Sequence, residues 1–491
     1  MSTARLKCKR EGNPLNRSAF AALLALLLWT ATDVFAVPLF ARQTGQQCVA
    51  CHVSFPELTN YGRMFKLGGY TIGEKTDIPL AMMAILSGTK INNQGLAAGN
   101  DGSQYPRSGS LSLEGASLFY GGKISDHVGI FGQWTFNNSA SAIDPSNPAN
   151  NSVTFNRHSN IDNTDVRYSN RFTAYNKEVI YGFTLNNNPT VQDVFNTTPA
   201  FGFPFQTSRT AGGWNVNQAG GINVPPVTTQ MEGLGQQVAG VGAYAYYDRH
   251  IYAELAAYRT ANKGFSILRA GMNPATNASL VGYSPYWRFA YTHDWAENSL
   301  TIGTYGMVNR LNTNNLDPTS PSNKFTDFGY DAQFQHISDP HAFTAQANII
   351  RERQNWDSTL VGATRDNATS KLTTFKAKAT YYYQRKYGIT GSYFSSRTSD
   401  DCLQYSNSTI NCPANGGTAG TGANLVSRND TAGYVLELNF LPVQNIRIAL
   451  QYTMFTKVGG QGSSYALAPD GVTFRNPRDN NLLYLYTWFS Y

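Results

Sequence analysis

Beyond residue 78 the chain is a succession of short segments in which apolar and polar positions alternate. Such alternation predicts β-strands that turn one face toward an apolar environment and the other toward a polar one. Aromatic and β-branched residues within the segments, and turn residues between them, delimit sixteen candidate strands. They cover residues 79–93, 109–124, 128–138, 158–172, 177–188, 236–249, 251–260, 284–293, 298–311, 324–338, 341–354, 371–384, 387–399, 431–441, 444–458 and 482–491.

The connections between these strands differ in length in a regular way. Short turns such as ISDH, SDPH, QRKY and LPVQ belong to one end, whereas the other connections are long and rich in Asn, Gly, Ser and Pro. Bacterial outer-membrane barrels have this asymmetry, and a soluble β-sandwich has no need of it. The pattern therefore predicts an all-β protein, a transmembrane antiparallel β-barrel of about 16 strands over residues 79–491.

Composition and the chain end favour the same architecture. Aromatic residues make up 13% of the chain and charged residues only 14%, which suits strands bordered by aromatic girdles. The last segment, LLYLYTWFSY, resembles the terminal strand by which outer-membrane proteins are recognised for insertion; the alternative is an ordinary buried edge strand. We expect a Gram-negative outer membrane, with lipid and lipopolysaccharide as neighbours. The net charge of +7 favours contact with anionic lipopolysaccharide or an anionic partner, and nothing suggests nucleic-acid binding.

The N-terminus has the features of an export signal. A basic lead between Lys7 and Arg17 precedes an apolar run from Ala19 to Trp29, and Val34 and Ala36 fit the small-residue cleavage pattern. A membrane anchor is the competing interpretation, but spanning a bilayer takes roughly 20 apolar residues. We therefore predict a signal peptide over residues 1–36 and a mature chain that begins near residue 37.

Residues 48–52 read CVACH, which is the attachment pattern of a c-type haem. Cys48 and Cys51 have the spacing to add two thiols to the vinyl groups of one haem, and His52 follows where its imidazole can ligate the iron. A zinc knuckle normally needs a second pair of ligands, and thioredoxin-like chemistry needs a βαβ context. Neither is apparent here, so the sequence favours one covalently bound haem c.

Two further cysteines remain after export. Cys402 and Cys412 lie in the polar stretch DDCLQYSNSTINC, and two cysteines at this separation in an exported protein usually close a loop disulfide. We predict that disulfide, which leaves Cys48 and Cys51 for the haem.

The haem segment, residues 37–78, is too short to fold as a free-standing cytochrome. Its stretch SFPELTNYGRMFKLGGY predicts one short helix with a capping box of Ser54 and Glu57 and an end at Gly68. The economical arrangement places the segment in the barrel lumen as a plug, or at the periplasmic side.

A sixth iron ligand is harder to predict. A methionine would favour the high potential that iron oxidation requires. Met64 is our first candidate, with Met82 and Met83 behind it, since one of those two must point into the barrel. The alternative for any of them is a methionine that fills a gap in the packing.

At these residues the chain resembles a known family. The run VPLFARQTGQQCVACHVSFPELTNYGRMFKLGGYT, followed by a barrel of this size, is similar to the fused outer-membrane cytochrome and porin of iron-oxidising bacteria. The resemblance implies an oxidoreductase that takes electrons from extracellular Fe(II) and passes them to a periplasmic carrier, a cytochrome c or a cupredoxin. It also implies that Cys48 and Cys51 form the thioethers and that His52 is the proximal ligand.

Two other functions remain open at this point. One is a diffusion porin in which the haem segment is only a plug, and the other is the same electron conduit for a different extracellular donor. Composition does not distinguish them, because each needs a barrel with a polar lumen. The covalent haem favours a conduit over a solute pore, and the choice of iron rests on the resemblance.

Overall fold

The computed structural model describes residues 39–75, 79–93, 109, 111–136, 142–143, 153–154, 159–203, 205–208, 229–263, 265–269, 279–405, 428–464, 466–467 and 473–491. Sixteen antiparallel strands form a closed barrel in which each strand pairs with its neighbours in sequence. The last strand closes the barrel on the first, with Leu482 opposite Ile91. The predicted all-β barrel is confirmed, and each of the sixteen predicted segments overlaps one strand.

The barrel strands are numbered β1 to β16. They are β1 (Leu80–Ile91), β2 (Leu111–Lys123), β3 (Val128–Phe136), β4 (Ser159–Ala174), β5 (Lys177–Asn186), β6 (Val238–Tyr247), β7 (Ile251–Thr260), β8 (Ser284–Trp295), β9 (Asn298–Asn312), β10 (Ser322–Ile337), β11 (His341–Asn355), β12 (Thr369–Tyr383), β13 (Tyr387–Thr398), β14 (Thr431–Val443), β15 (Ile446–Lys457) and β16 (Leu482–Ser490).

The barrel is polar inside and apolar outside. Glu254 on β7 is 1% exposed, whereas its neighbour Leu255 is 64% exposed. On β8 the fully buried Arg288 is likewise followed by the half-exposed Phe289. Because successive residues of a strand point to opposite faces, the charged side chains fill the lumen and the large apolar ones cover the outside. This outer surface is suited to lipid, as in outer-membrane barrels.

One end of the barrel carries the short turns. Tight turns that contain residues with positive φ, such as Tyr175–Asn176 and Gln384–Arg385, join neighbouring strands there. The two-residue turn Tyr175–Asn176 matches the right-handed strand twist. Exposed aromatic residues, among them Phe172, Trp295 and Tyr387, lie on the outside near this end. Their position corresponds to an aromatic girdle at a membrane interface.

The N-terminal residues 39–75, called the plug below, lie in the lumen at the short-turn end. The plug contains three helices and one ribbon of two short strands. These are α1 (Leu39–Thr44), α2 (Cys48–Cys51), the ribbon His52–Ser54 with Glu57–Leu58, and α3 (Asn60–Leu67). No helix among the described residues is long and apolar enough to cross a membrane.

The predicted capping box of Ser54 and Glu57 is wrong. Both residues lie in the ribbon, and α3 begins later, with Thr59 as its N-cap accepting a hydrogen bond from the Gly62 amide at 3.2 Å. The side chains of both predicted cap residues bind the barrel instead: Tyr382 donates to Ser54 Oγ, and Lys378 forms an ion pair with Glu57. In addition, Phe55 precedes Pro56, and the helical backbone conformation is disfavoured for a residue before proline.

Polar contacts fix the plug to the inner wall. The guanidinium of Arg63 donates to Ser299 Oγ and Gln335 Oε1, both at 2.9 Å, and Gln335 donates back to the Leu58 carbonyl at 3.1 Å. At the short-turn end, Arg385 donates to the Val49 carbonyl at 2.5 Å. Hydrogen bonds to charged groups contribute about 1.5–3 kcal/mol each, so these contacts hold the plug firmly.

A second element enters the lumen from the far side. Residues 187–203 and 205–208, called the lumen loop, follow β5 and are largely buried. Asn196 donates to the Pro56 carbonyl of the plug at 2.9 Å, and Lys66 of the plug donates to Asn196 Oδ1 at 2.8 Å. The fully buried Arg288 lies 3.0 Å from Asp193 of the loop and 2.9 Å from Asp331 of the barrel. The plug and the lumen loop therefore fill the lumen together.

The remaining elements are short. They are α4 (Gln230–Gly233), α5 (Cys402–Tyr405), the 3-10 turns Pro199–Phe201, Ala261–Lys263, Ser266–Leu268 and Pro477–Asn480, and the strand pairs Ala142–Ile143 with Val153–Thr154 and Ala466–Leu467 with Phe474–Arg475. The predicted signal peptide, residues 1–36, lies outside the described residues.

Candidate cofactor site

A large cavity lies between the plug and the barrel wall. Its empty volume is about 1290 Å³, counting its open mouth, and Cys48, Cys51 and His52 all line it. The CVACH motif therefore faces the space in which a planar cofactor would lie.

Nine aromatic rings line the cavity. They come from the plug, the first barrel strands, the lumen loop and the last strand. The rings are those of Phe40, Phe55, Phe65, Tyr70, Phe119, Phe131, Phe201, Phe205 and Trp488. Such a wall excludes water and offers flat apolar surface to a porphyrin, and burial of this kind is one of the factors that set haem potential.

The chemical state of the motif suits a covalent haem. The two thiols are free, and burial raises the pKa of Cys48 and, together with the charge of Cys48, raises that of Cys51 to about 11. Burial also lowers the pKa of His52 to about 4, which keeps the imidazole in the neutral form that binds metals. His52 Nδ1 is buried and has no hydrogen-bond partner among the described residues. Two free thiols and an imidazole with one unpaired nitrogen on one cavity fit a c-type haem.

Helix α3 is packed directly on the motif. The Thr59 amide donates to the Cys51 carbonyl at 2.9 Å, and Thr59 Oγ1 donates to the Ala50 carbonyl at 2.5 Å. One turn further on, Gly62 lies so close that an added Cβ would be 2.2 Å from the Cys51 carbonyl oxygen. The backbone of the motif is thus held by a helix that needs glycine at the contact point.

Replacing Gly62 by Ala should loosen this contact. The new methyl group would collide with backbone atoms, so α3 or the motif has to shift. Overpacking of this kind lowers the free energy of unfolding by roughly 1–3 kcal/mol. Hydrogen exchange followed by mass spectrometry should show faster exchange over residues 48–67. Gly391→Ala is the matched control, since a Cβ there meets nothing within 4 Å. Unchanged protection in Gly62→Ala would show that the contact imposes no constraint.

A series of stacked rings leads away from His52. Phe55 stacks on the imidazole with ring centroids 4.2 Å apart, and Trp488 of β16 lies 5.8 Å from Phe55. Phe205 of the lumen loop stacks on Trp488 at 5.5 Å. The lumen loop thereby covers the side of the cavity that faces away from the short turns.

One buried cation borders the cavity. Lys66 donates to the Val191 carbonyl at 2.7 Å and lies 4.3 Å from the centre of the Phe201 ring. Burial, and next to it the charge of Arg167, lowers the pKa of Lys66 to about 7. A cation here offers a partner for an acidic group of a bound cofactor.

The three candidate methionines have different positions relative to the cavity. Met64 packs in a cluster with Leu67, Ile180 and Val194, and it is not among the residues that line the cavity. Met82 and Met83 both border the cavity. Met82 is 56% exposed on the outside of the barrel, whereas Met83 is partly buried on the inner face.

The other predicted site residues lie apart. None of the described histidines other than His52 lines the cavity. Cys402, at the start of α5, is disulfide-bonded, but Cys412 lies outside the described residues, so the pairing stays a prediction. Sequence reasoning missed the lumen loop, whose apolar residues Val191, Val194 and Phe195 in a supposed outer loop were the available signal.

Comparisons with known proteins reach only the level of the barrel. No protein-family model and no curated protein sequence matches this chain. Among solved structures the chain is similar to OprB of Pseudomonas putida (10% identity, 84% of this chain and 93% of that chain covered, TM-score 0.43). It is also similar to OmpT of Vibrio cholerae (8%, 85% and 99%, TM-score 0.40) and to an anion-selective porin from Comamonas acidovorans (10%, 84% and 98%, TM-score 0.39).

Proposed function

We propose that this protein is an outer-membrane electron conduit. One haem c is bound covalently by Cys48 and Cys51, with His52 as the proximal iron ligand. Extracellular Fe(II) is the electron donor, and a periplasmic carrier, a cytochrome c or a cupredoxin, is the acceptor. When bound, the haem supplies a one-electron Fe(III)/Fe(II) couple.

The observation that carries the proposal is the position of the CVACH motif inside the barrel. Both thiols and the imidazole face one ring-lined cavity, and the lumen loop covers that cavity on the side away from the short turns. A diffusion pore has no use for two free thiols and an unpaired histidine nitrogen in its lumen. An attachment site for a redox cofactor needs this arrangement.

The chain's own residues would insulate and orient the redox centre. The plug and the lumen loop exclude solutes, so the oxidised iron product stays outside while only the electron passes. Short turns face the periplasm in outer-membrane barrels, which puts the motif near the periplasmic end. Gln444 of the β14–β15 turn donates a hydrogen bond to Gln47 of the plug at 3.1 Å, next to Cys48. An acceptor that docks on the short turns would therefore be close to the motif.

Mixing the purified, oxidised protein with Fe(II) at acidic pH tests the proposal. We expect the reduced c-type absorption bands to appear rapidly in stopped-flow visible spectroscopy, because a conduit for Fe(II) passes one electron from each ion to its haem. Dithionite is the control reductant. Reduction by dithionite without reduction by Fe(II) would reject iron as the donor and favour another extracellular donor, and a protein without covalent haem would reject the conduit altogether.

A second candidate function, the diffusion porin, is favoured by two smaller cavities along the lumen loop. Each has an empty volume of about 410–420 Å³, and both are lined by Lys378 of β12 and Phe203 of the lumen loop. Charged side chains border each of them, Glu232 and Lys376 in one and Glu437 and Arg447 in the other. Single-channel recording in planar lipid bilayers decides, since stepwise conductance would support the porin and a silent bilayer the conduit.

A further inference from the structure

Strand alternation brings one methionine sulfur into the cavity wall. On β1 the buried residues Ala81 and Ile85 mark the inner face, and Met83 lies between them in the same alternation. Met82 next to it points outward. In the register of the barrel Met83 lies opposite Ser490 of β16, which itself lines the cavity. The thioether of Met83 therefore belongs to the same cavity as the CVACH motif.

The neighbours of Met83 connect it to the His52 side of the cavity. Met83 packs against the apolar cluster that includes Trp488, and Phe55 packs against that same cluster. Phe55 in turn stacks on the His52 ring at 4.2 Å. Sulfur packs favourably against aromatic rings, and the unbranched methionine chain adapts to the space that a ligand leaves.

Other possible ligand groups at the described cavity wall are already engaged or turned away. Lys66 is engaged by the lumen loop, because its Nζ donates to the Val191 carbonyl at 2.7 Å and to Asn196 Oδ1 at 2.8 Å. The Met82 side chain faces outward, and Met64 lies in a different cluster. Histidine and methionine are the residues that complete six-coordinate c-type haem iron, and no second described histidine lines this cavity.

We infer that Met83 is the distal ligand of the haem iron, an inference that rests on the proposed function. A barrel residue then completes a site whose other ligands come from the plug, so the six-coordinate centre exists only when the plug is seated in the barrel. Neutral thioether sulfur favours Fe(II) over Fe(III) and raises the potential. The inference thus ties high potential to correct insertion of the plug.

The test is Met83→Leu in the full chain, since Leu and Met have similar volumes and their exchange in a core is usually tolerated. We expect the oxidised protein to lose its thioether-to-iron charge-transfer band, its midpoint potential to fall, and cyanide to bind faster. Met64→Leu is the matched control and should change none of these, since Met64 does not line the cavity; Met82→Leu tests the other methionine that borders it. Met83→His, which offers a nitrogen ligand in the same place, should restore a six-coordinate low-spin spectrum at a potential below that of the parent.

The outcomes separate the inference from the proposed function. If Met83→Leu keeps the parental spectrum and potential while covalent haem is retained, Met83 is not the ligand and the haem assignment is unaffected. If Met64→Leu or Met82→Leu alone changes the coordination, the ligand is that methionine and the inference is wrong. A parent protein without covalent haem would overturn the proposed function first and the inference with it.

Discussion

Replacing both Cys48 and Cys51 by Ala should remove all covalently bound haem from the protein. Each thioether needs one thiol, so a single replacement leaves at most one bond and the double replacement leaves none. The measurement is haem-dependent peroxidase staining of the denatured polypeptide, with the pyridine haemochrome spectrum to count thioethers. The single variants should show a spectrum intermediate between two thioethers and none.

The barrel itself should survive this change, because other residues attach the plug to the wall. Arg63 and Glu57 make their contacts to β9, β10 and β12 without either cysteine, so the variant should keep its heat-modifiable migration on gels. Cys402→Ala is the control, since that residue is far from the motif in sequence and lies in another element. Covalent haem in the double alanine variant would show that Cys48 and Cys51 are not the residues that attach it.

The barrel was predictable because its physical signal is distributed over many residues. In strands such as β7, where Glu254 faces in and Leu255 faces out, each position contributes to the period-two pattern. Errors at single positions therefore do not change the strand count. The turn QRKY was predicted from the gap between two strands, although Gln384 and Arg385 adopt positive φ without the Asn-Gly signature.

A site could be proposed from the sequence only where chemistry fixes the spacing of residues. CVACH is such a case, since attaching a haem by two thioethers and one iron ligand requires thiols and imidazole at this spacing, and the haem itself stays a prediction. The distal ligand has no fixed spacing, and only the three-dimensional arrangement distinguishes Met83 from Met64. The capping box failed for a related reason, because Ser54 and Glu57 bind barrel residues more than three hundred positions away.

The plug and the barrel depend on each other electrostatically. The plug contributes Arg63 and Lys66. Oxygen atoms of the inner wall and the lumen loop accept hydrogen bonds from these two side chains. Buried charges are tolerated only when such partners are in place. It follows that the lumen loop is a structural part of the site, and that displacing it should expose the cavity from the far end.

Arg288→Met should displace the lumen loop. The guanidinium is fully buried, 3.0 Å from Asp193 of the loop and 2.9 Å from Asp331 of the barrel, and it donates to Thr197 Oγ1 at 3.1 Å. Without it Asp193 and Asp331 lose the buried cation that they share, and breaking a buried charge network in this way costs about 3–5 kcal/mol. We expect faster hydrogen exchange over residues 190–198 and a measurable single-channel conductance where the parent protein is silent.

Two further variants make this prediction discriminating. Arg171→Met removes an arginine of similar size whose side chain is 67% exposed and pairs with Glu178, so the expected cost is about 0–1 kcal/mol and neither readout should change. Adding Asp193→Asn and Asp331→Asn to Arg288→Met removes the unpaired charges and should recover part of the loop protection. If Arg288→Met keeps the exchange rates and the conductance of the parent, the lumen loop is held by its apolar contacts, and the buried charges do not determine whether the barrel is closed.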